Sequence, residues 1–202
     1  MAQISAEQVK QLRQATGAGM MDCKRALQDA DGDMVRATEI LREKGLASVA
    51  KRAGRSANQG RVDSYIHFNN TVGVLIEVNC ETDFVANTDQ FDALVKDLAL
   101  HIASPAAPTY LDRDQVPQDI IDQESKIAET QAREAGKPDA VIAKIIEGKV
   151  ASYLKDTVLL EQPFVKDDAK TIQQLLDETS AAVGEKVAVR RFVRYKLGEE
   201  GS

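Results

Sequence analysis

Apolar residues recur at helical spacing over roughly the first 45 positions and then change to a period of two, so the chain begins with helices and continues with strands. Ser5 is placed to cap a first helix, with Gln8 completing a capping box and Ile4 and Val9 set for a hydrophobic staple. Val9 and Leu12 form its apolar stripe, and Gly17-Ala18-Gly19 stops it. A second helix, over about 21–30, turns Ala26, Leu27 and Ala30 inward. Asp31-Gly32 turns the chain, Asp33 caps a third helix with Ala37, Ile40 and Leu41 inside, and Gly45 ends it. Three helices this short make a small module with a thin core.

Residues 46–60 are rich in Ala, Lys, Arg, Ser and Gly and read as a linker with some helix near its start. Val62, Ser64, Ile66 and Phe68 then alternate with polar or amphipathic positions, Asn69-Asn70 supplies a turn, and Val72, Val74, Ile76, Val78 and Cys80 alternate again. This predicts a β-hairpin with one buried face. Phe91, Leu94, Val95, Leu98 and Ile102 mark a helix that Ser104-Pro105 ends. Two further helices at about 117–135 and 138–156, parted by Gly136 and Pro138, suit an antiparallel helical hairpin. An apolar connector over 159–165, a short helix marked by Ile172, Leu175 and Leu176, and a last strand over 186–197 complete the chain. Arg190-Arg191 blurs the register of that strand. The fold class is α+β: a three-helix module over 1–54, then a core over 55–202 built on a three-stranded antiparallel sheet with helices and the helical hairpin. Three strands leave open edges and a thinly covered face, which favours self-association or a docked partner.

Composition narrows the function classes. With 43% hydrophobic and 29% charged residues the chain has an ordinary globular balance, which excludes general disorder. No apolar run approaches the roughly 18 residues of a membrane span, and the first ten positions carry no signal core. Cys23 and Cys80 are too few for a disulfide framework, and a reducing cytoplasm fits best. Residues 1–61 hold 11 Lys and Arg against 7 Asp and Glu, a net of +4, while residues 62–202 hold 15 against 25, a net of −10. The acidic bulk and the absence of Trp argue against a broad nucleic-acid surface, and no direct nucleic-acid contact is expected. The basic early segment is either a solvated helical face or a local RNA contact.

The sequence has no Gly-x-x-x-x-Gly-Lys-Ser/Thr loop, no Gly-x-Gly-x-x-Gly, no His-Glu-x-x-His and no Gly-x-Ser-x-Gly. Its two histidines, His67 and His101, lie far apart, and the cysteines suit buried packing. Two segments have unusual local physics. In Thr16-Gly17-Ala18-Gly19-Met20-Met21 a helix ends, glycines turn the chain and adjacent methionines open the next helix. Neighbouring helical side chains diverge by about 100°, so the two methionines cannot fill one core spot. One of them packs, or both present a polarizable binding surface. In Thr82-Asp83-Phe84-Val85-Ala86-Asn87, between a strand and a helix, Phe84 is either a plug for the local core or an anchor for a partner.

Leu12-Arg13 and Thr16 to Lys24, then Asn79 to Ala86, then Glu161-Gln162-Pro163-Phe164-Val165 with Lys170-Thr171, resemble in order and spacing the bacterial elongation factor Ts family. The three N-terminal helices are similar to the ubiquitin-associated fold that this family carries there. One hairpin, one Thr-Asp-Phe segment and a shortened helical pair look like the family's short form. The resemblance implies a guanine-nucleotide exchange factor for elongation factor Tu, cytoplasmic, with no cofactor and no covalent chemistry of its own. It implies that Asp83 and Phe84, flanked by Thr82 and Val85, intrude near the Mg²⁺ and phosphate site of the GTPase. Leu12, Arg13, Thr16, Gly17, Gly19, Met20 and Met21 would dock on the GTPase, and Phe164 and Val165 would add a contact. Long members cover their sheet with a second core half, so a symmetric homodimer with two bound GTPases is expected of this chain. Three rival readings are a ubiquitin-like-binding adaptor, an RNA-binding protein using 44–61, and an enzyme using Asp63, Glu81 and Asp83 as carboxylates.

Overall fold

The local rules for the first helix hold at the atomic level. In the computed structural model, which describes residues 4–199, the Gln8 N–H donates to Ser5 Oγ at 3.2 Å and the Ser5 N–H to Gln8 Oε1 at 3.0 Å, closing the capping box. In chain order the elements are α1 (Ala6–Thr16), α2 (Met20–Asp29), α3 (Met34–Arg52), β1 (Gln59–Ile66), β2 (Val72–Cys80), α4 (Asp83–Ala86) and α5 (Asp89–Ala103). They continue with α6 (Gln118–Glu134), α7 (Asp139–Thr157), β3 (Pro163–Phe164), β4 (Asp167–Thr171), α8 (Ile172–Val183) and β5 (Ala188–Lys196). The protein is α+β, with a three-stranded antiparallel sheet in the order β1-β2-β5. Two compact units are present: one holds residues up to Arg61, Val78–Leu94 and Gln174–Arg190, and the other holds Val62–Glu77, Val95–Gln173 and the residues from Arg191 on.

In the first unit, Val9, Leu12, Cys23, Ala26, Leu27, Ala37 and Leu41 form one core among α1, α2 and α3, with Ile4 and Ile40 packed against it. Asp33 caps α3 through the N–H groups of Val35 and Arg36 at 2.8 and 3.0 Å. The sequence expectation that Gly45 ends this helix is corrected: α3 runs on to Arg52. A Cβ on Gly45 would lie 3.4 Å from the Cβ of Ala181 on α8, an ordinary contact, so the helix passes through this glycine rather than stopping at it. The expected linker over 46–60 is corrected with it, because 46–52 are helical and 59–60 already belong to β1, leaving 53–58 as the irregular connection.

In the second unit, the His67 N–H donates to the Val72 carbonyl at 2.9 Å and the Leu197 N–H to the Thr71 carbonyl at 2.8 Å, which fixes the register of the sheet. Ile66 lies over Gly73, and Arg191 pairs with Glu77 at 2.8 Å. With a period of two, Val62, Ile66, Leu75, Val193 and Tyr195 therefore share one face, and all are exposed, as are Phe68 and Leu197. Val74 and Ile76 point the other way and are buried. The expectation of a single buried apolar face thus holds for β2, while the apolar positions of β1 form the solvent side. Val187 just before β5 and Val189 on it are buried, Arg190 and Arg191 are both exposed, and Val193 is exposed again, so the burial alternation slips by one residue at the arginine pair.

The helical hairpin is present, with α6 and α7 joined through Gly136 at φ +67° and Ala128, Ala132, Ile142 and Leu154 buried. The expected apolar connector also supplies β3, which pairs antiparallel with β4 just beyond it.

Candidate functional site

Residues 80–88 build a sharp strand-to-helix corner. Thr82 is extended, with φ −128° and ψ 157°, and its Oγ1 accepts the Val85 N–H at 3.4 Å as the N-cap of α4. A single helical turn has only one face to bury, and here Val85 and Ala86 take it. Asp83 is exposed, and Phe84 is 83% exposed. Of the two readings open for Phe84, the core plug is excluded, since the adjacent Val85 points inward. Thr88 Oγ1 accepts the Phe91 N–H at 3.2 Å and starts α5.

A polar frame lies behind this corner. One oxygen of the Glu185 carboxylate accepts the N–H groups of Glu81 and Thr82 at 3.1 and 3.0 Å, and the other accepts the Thr82 hydroxyl at 2.6 Å. In return, Glu81 accepts the Lys186 N–H at 2.7 Å. The Lys186 ammonium donates to the carbonyls of Ala53 and Arg55 at 2.6 and 3.1 Å, and Arg55 reaches Glu81 at 3.3 Å. The Lys186 N–H, with help from the Arg55 charge, holds the Glu81 carboxyl below the usual range. Burial, followed by the nearby Glu185 charge, pushes the Cys80 thiol up, away from the thiolate form.

The methionine turn is built by backbone geometry. Gly17 sits at φ +68°, where its N–H reaches the Arg13 carbonyl at 2.8 Å. The Thr16 hydroxyl donates to the Leu12 carbonyl at 2.7 Å and accepts the Ala18 N–H at 3.3 Å. Gly19 then opens α2 with no side-chain cap, and Met20 and Met21 stand 58% and 67% exposed. Neither methionine fills the core. Arg13 is exposed as well, but Leu12 is fully buried among the three helices and offers no surface.

Phe164 and Val165 lie in the other unit. Phe164 is buried beside His101, and only Val165 is exposed. The Val165 N–H donates to His101 Nδ1 at 3.2 Å, so the ring proton is on Nε2, which donates to Gln162 Oε1 at 2.9 Å. The Gln162 amide donates to the carbonyls of Ala106 and Asp156 at 2.9 and 2.6 Å. Burial holds the His101 pKa below its ordinary value.

Thr82 to Val85 and the methionine turn thus fall in one unit, and Phe164 with Val165 in the other. Sequence reasoning missed Glu185, Lys186 and His101 as structural partners of these segments. Gln162 stood within a motif that was singled out, whereas Glu185 follows a Gly184 turn with no local signal of its partner. Among the described residues no group of three His, Cys, Asp or Glu is arranged to hold a metal ion, and no helix is long and apolar enough to cross a membrane.

The family model described as Elongation factor TS matches residues 2–199. The chain is 54% identical over 196 residues to Elongation factor Ts of Thermoanaerobacter sp. (strain X514), covering 97% of this chain and 96% of that one. It is 55% identical over 196 residues to Elongation factor Ts of Geobacter metallireducens, covering 97% and 90%, and 54% identical over 199 residues to that of Desulforamulus reducens, covering 98% and 91%. Likeness of this extent puts the chain in the class of translation elongation factors. Within that class it belongs to the elongation factor Ts family.

Proposed function

We propose that this protein promotes GDP release from elongation factor Tu in the cytoplasm, by binding and without covalent chemistry or a nucleotide site of its own. The observation that carries this reading is Phe84, 83% exposed on a capped corner whose neighbour Val85 is buried. A large aromatic held mostly in water gains buried area only when a partner covers it. Burying it removes roughly 150–250 Å² from water, an upper bound near 4–6 kcal/mol at about 25 cal/mol per Å². Only the part realised in the nucleotide-releasing state speeds release, and each tenfold takes about 1.4 kcal/mol. A GTPase grips GDP through P-loop N–H groups and Mg²⁺. Phe84 with Asp83 disturbs that grip, and by linkage GDP weakens binding of the factor by the same factor.

The module over 1–54 docks on the GTPase through Met20, Met21 and the turn from Thr16, with Arg13 beside it. Leu12 acts beneath that surface by supporting it. Val165, held by His101 and backed by Phe164, adds a second contact. The core over 55–202 carries dimerisation: the exposed face of Val62, Ile66, Leu75, Val193 and Tyr195 meets its own copy across a two-fold axis, giving a homodimer that binds two GTPases. Stopped-flow release of fluorescent GDP from elongation factor Tu tests the reading. The native protein is expected to accelerate release and Phe84→Ala to lose most of that acceleration; equal rates for the two would overturn it.

A further inference from the structure

We propose that Glu185 is a positioning residue for Phe84, acting through Thr82; this rests on the reading of Phe84 given above. A four-residue helix does not form on its own account, since a single turn fixes many dihedrals for one hydrogen bond. Burial of Val85 and Ala86 holds one face of the corner, but Phe84, 83% exposed, adds little, so its direction needs a further hold from outside the turn. Glu185 supplies it with three hydrogen bonds into one carboxylate: the N–H groups of Glu81 and Thr82 on one oxygen and the Thr82 hydroxyl on the other. Hydrogen bonds to an ionised acceptor are roughly twice as strong as neutral ones. The third bond has a further effect. Because the Thr82 hydroxyl spends its proton on Glu185, its lone pairs are left to face the Val85 N–H, which is the bond that starts the helical turn. The orientation of the cap, and with it the direction in which Phe84 leaves the turn, is thus set by a side chain 103 positions away.

Glu185 is itself fixed. Its carbonyl accepts the Ser180 hydroxyl, the Ser180 carbonyl accepts from Arg52 at 3.3 Å, and the next residue, Lys186, donates to the Ala53 carbonyl at the end of α3. The frame is rigid where the partner-facing aromatic is unsupported, which is the arrangement that avoids ordering a loop at the moment of binding. Docking through Met20 and Met21 does not involve these groups, so loss of Glu185 affects the rate of the bound complex and not its formation.

The test titrates elongation factor Tu carrying fluorescent GDP with the native protein, Glu185→Ala, Glu185→Gln and Phe84→Ala, reading the maximal release rate and the half-saturating concentration separately. Amide hydrogen exchange at Glu81 and Thr82 is followed in each free protein. Expected for Glu185→Ala is a maximal rate about tenfold lower, equivalent to a barrier change of about 1.4 kcal/mol, with a half-saturating concentration unchanged and faster exchange of both amides. Glu185→Gln, which keeps an acceptor without the charge, is expected between alanine and native on both readouts. A folded Glu185→Ala with the native maximal rate, beside an inactive Phe84→Ala, overturns the proposal, as does an effect confined to the half-saturating concentration. If Phe84→Ala keeps the native rate, the reading of Phe84 fails and the proposal with it, while the amide data still report whether Glu185 holds the corner. Should the alanine variant not fold, Glu185→Gln decides: a lower maximal rate with faster amide exchange supports the proposal, and native values overturn it.

Discussion

The imidazole of His101 and the side-chain amide of Gln162 are joined by a 2.9 Å hydrogen bond between two buried residues, and the tautomer of the ring is dictated from its other side by the Val165 N–H. Protonation of Nδ1 would leave that N–H facing a second donor. His101 has a folded-state pKa below its ordinary value, so the unfolded chain binds the proton more readily. The stability this gives is complete above the unfolded pKa of about 6.5 and is lost progressively as pH falls from there through the lower folded-state value. Urea midpoints are therefore expected to drop between about pH 7 and 5 in the native protein, and His101→Gln is expected to flatten that part of the profile. A variant with the native pH slope would show that His101 is not its source.

Phe84 and Val85 are chain neighbours with opposite surroundings. Phe84→Ala is expected to leave the thermal midpoint close to native, since exposed substitutions usually stay within about 0.5 kcal/mol, and to lower the GDP-release rate by the equivalent of about 2–4 kcal/mol. Val85→Ala is expected to behave in reverse, losing roughly 1–2 kcal/mol of stability through the small cavity it leaves. Thermal melts read beside GDP-release rates separate the two.

Two glycines are expected to respond in opposite ways. Gly60 has φ +141°, and a Cβ there would fall 2.1 Å from the Val78 carbonyl oxygen and 2.7 Å from the Asn79 Cα, both backbone atoms. Gly60→Ala is expected to destabilise by roughly 3 kcal/mol from strain and displacement together. At Gly45 the new methyl would meet Ala181 at 3.4 Å, an ordinary contact, and alanine suits a helix interior better than glycine by up to about 1 kcal/mol. Gly45→Ala is expected to show no loss in chemical denaturation, whereas Gly45→Leu is expected to lower the midpoint.

The exposed face of the sheet has a direct physical test. Sedimentation equilibrium at micromolar concentration is expected to give about twice the 22.0 kDa chain mass. Val193→Glu places a charge on that face and is expected to return the mass to that of one chain with the fold retained. A native protein that sediments as a single chain throughout would remove the dimer.

What was legible in the sequence was whatever depended on neighbours within a few positions. The Ser5–Gln8 box, the Asp33 cap, the β-hairpin around Asn69-Asn70 and the helical pair split at Gly136 all follow from short-range chemistry, and all are present. Gly45 misled because glycine reads as a stop on local propensity alone, whereas α3 runs through it to Arg52. The outward turn of Val62 and Ile66 was hidden for a similar reason: period two marks two faces, but which one meets the core is decided by pairing with β2. Phe84 stood out by its motif, and the corner geometry then excluded the core plug. Glu185 was invisible, since an acidic residue after a glycine turn looks like any solvated loop until the backbone of Glu81 and Thr82 is brought to it.

The reciprocal bonds between the segments at 81–82 and 185–186 also bear on the order in which the protein acquires its shape on the ribosome. A nascent chain that has already exposed Phe84 has neither the carboxylate that turns the Thr82 hydroxyl nor the ammonium that fastens the end of α3. The helical module can close early, being made of contiguous chain, but the corner stays loose until residues 185 and 186 have left the exit tunnel. Maturation of the Phe84 corner is therefore timed by synthesis of the C-terminal strand, and a chain truncated before that point would carry the motif without its fixed geometry.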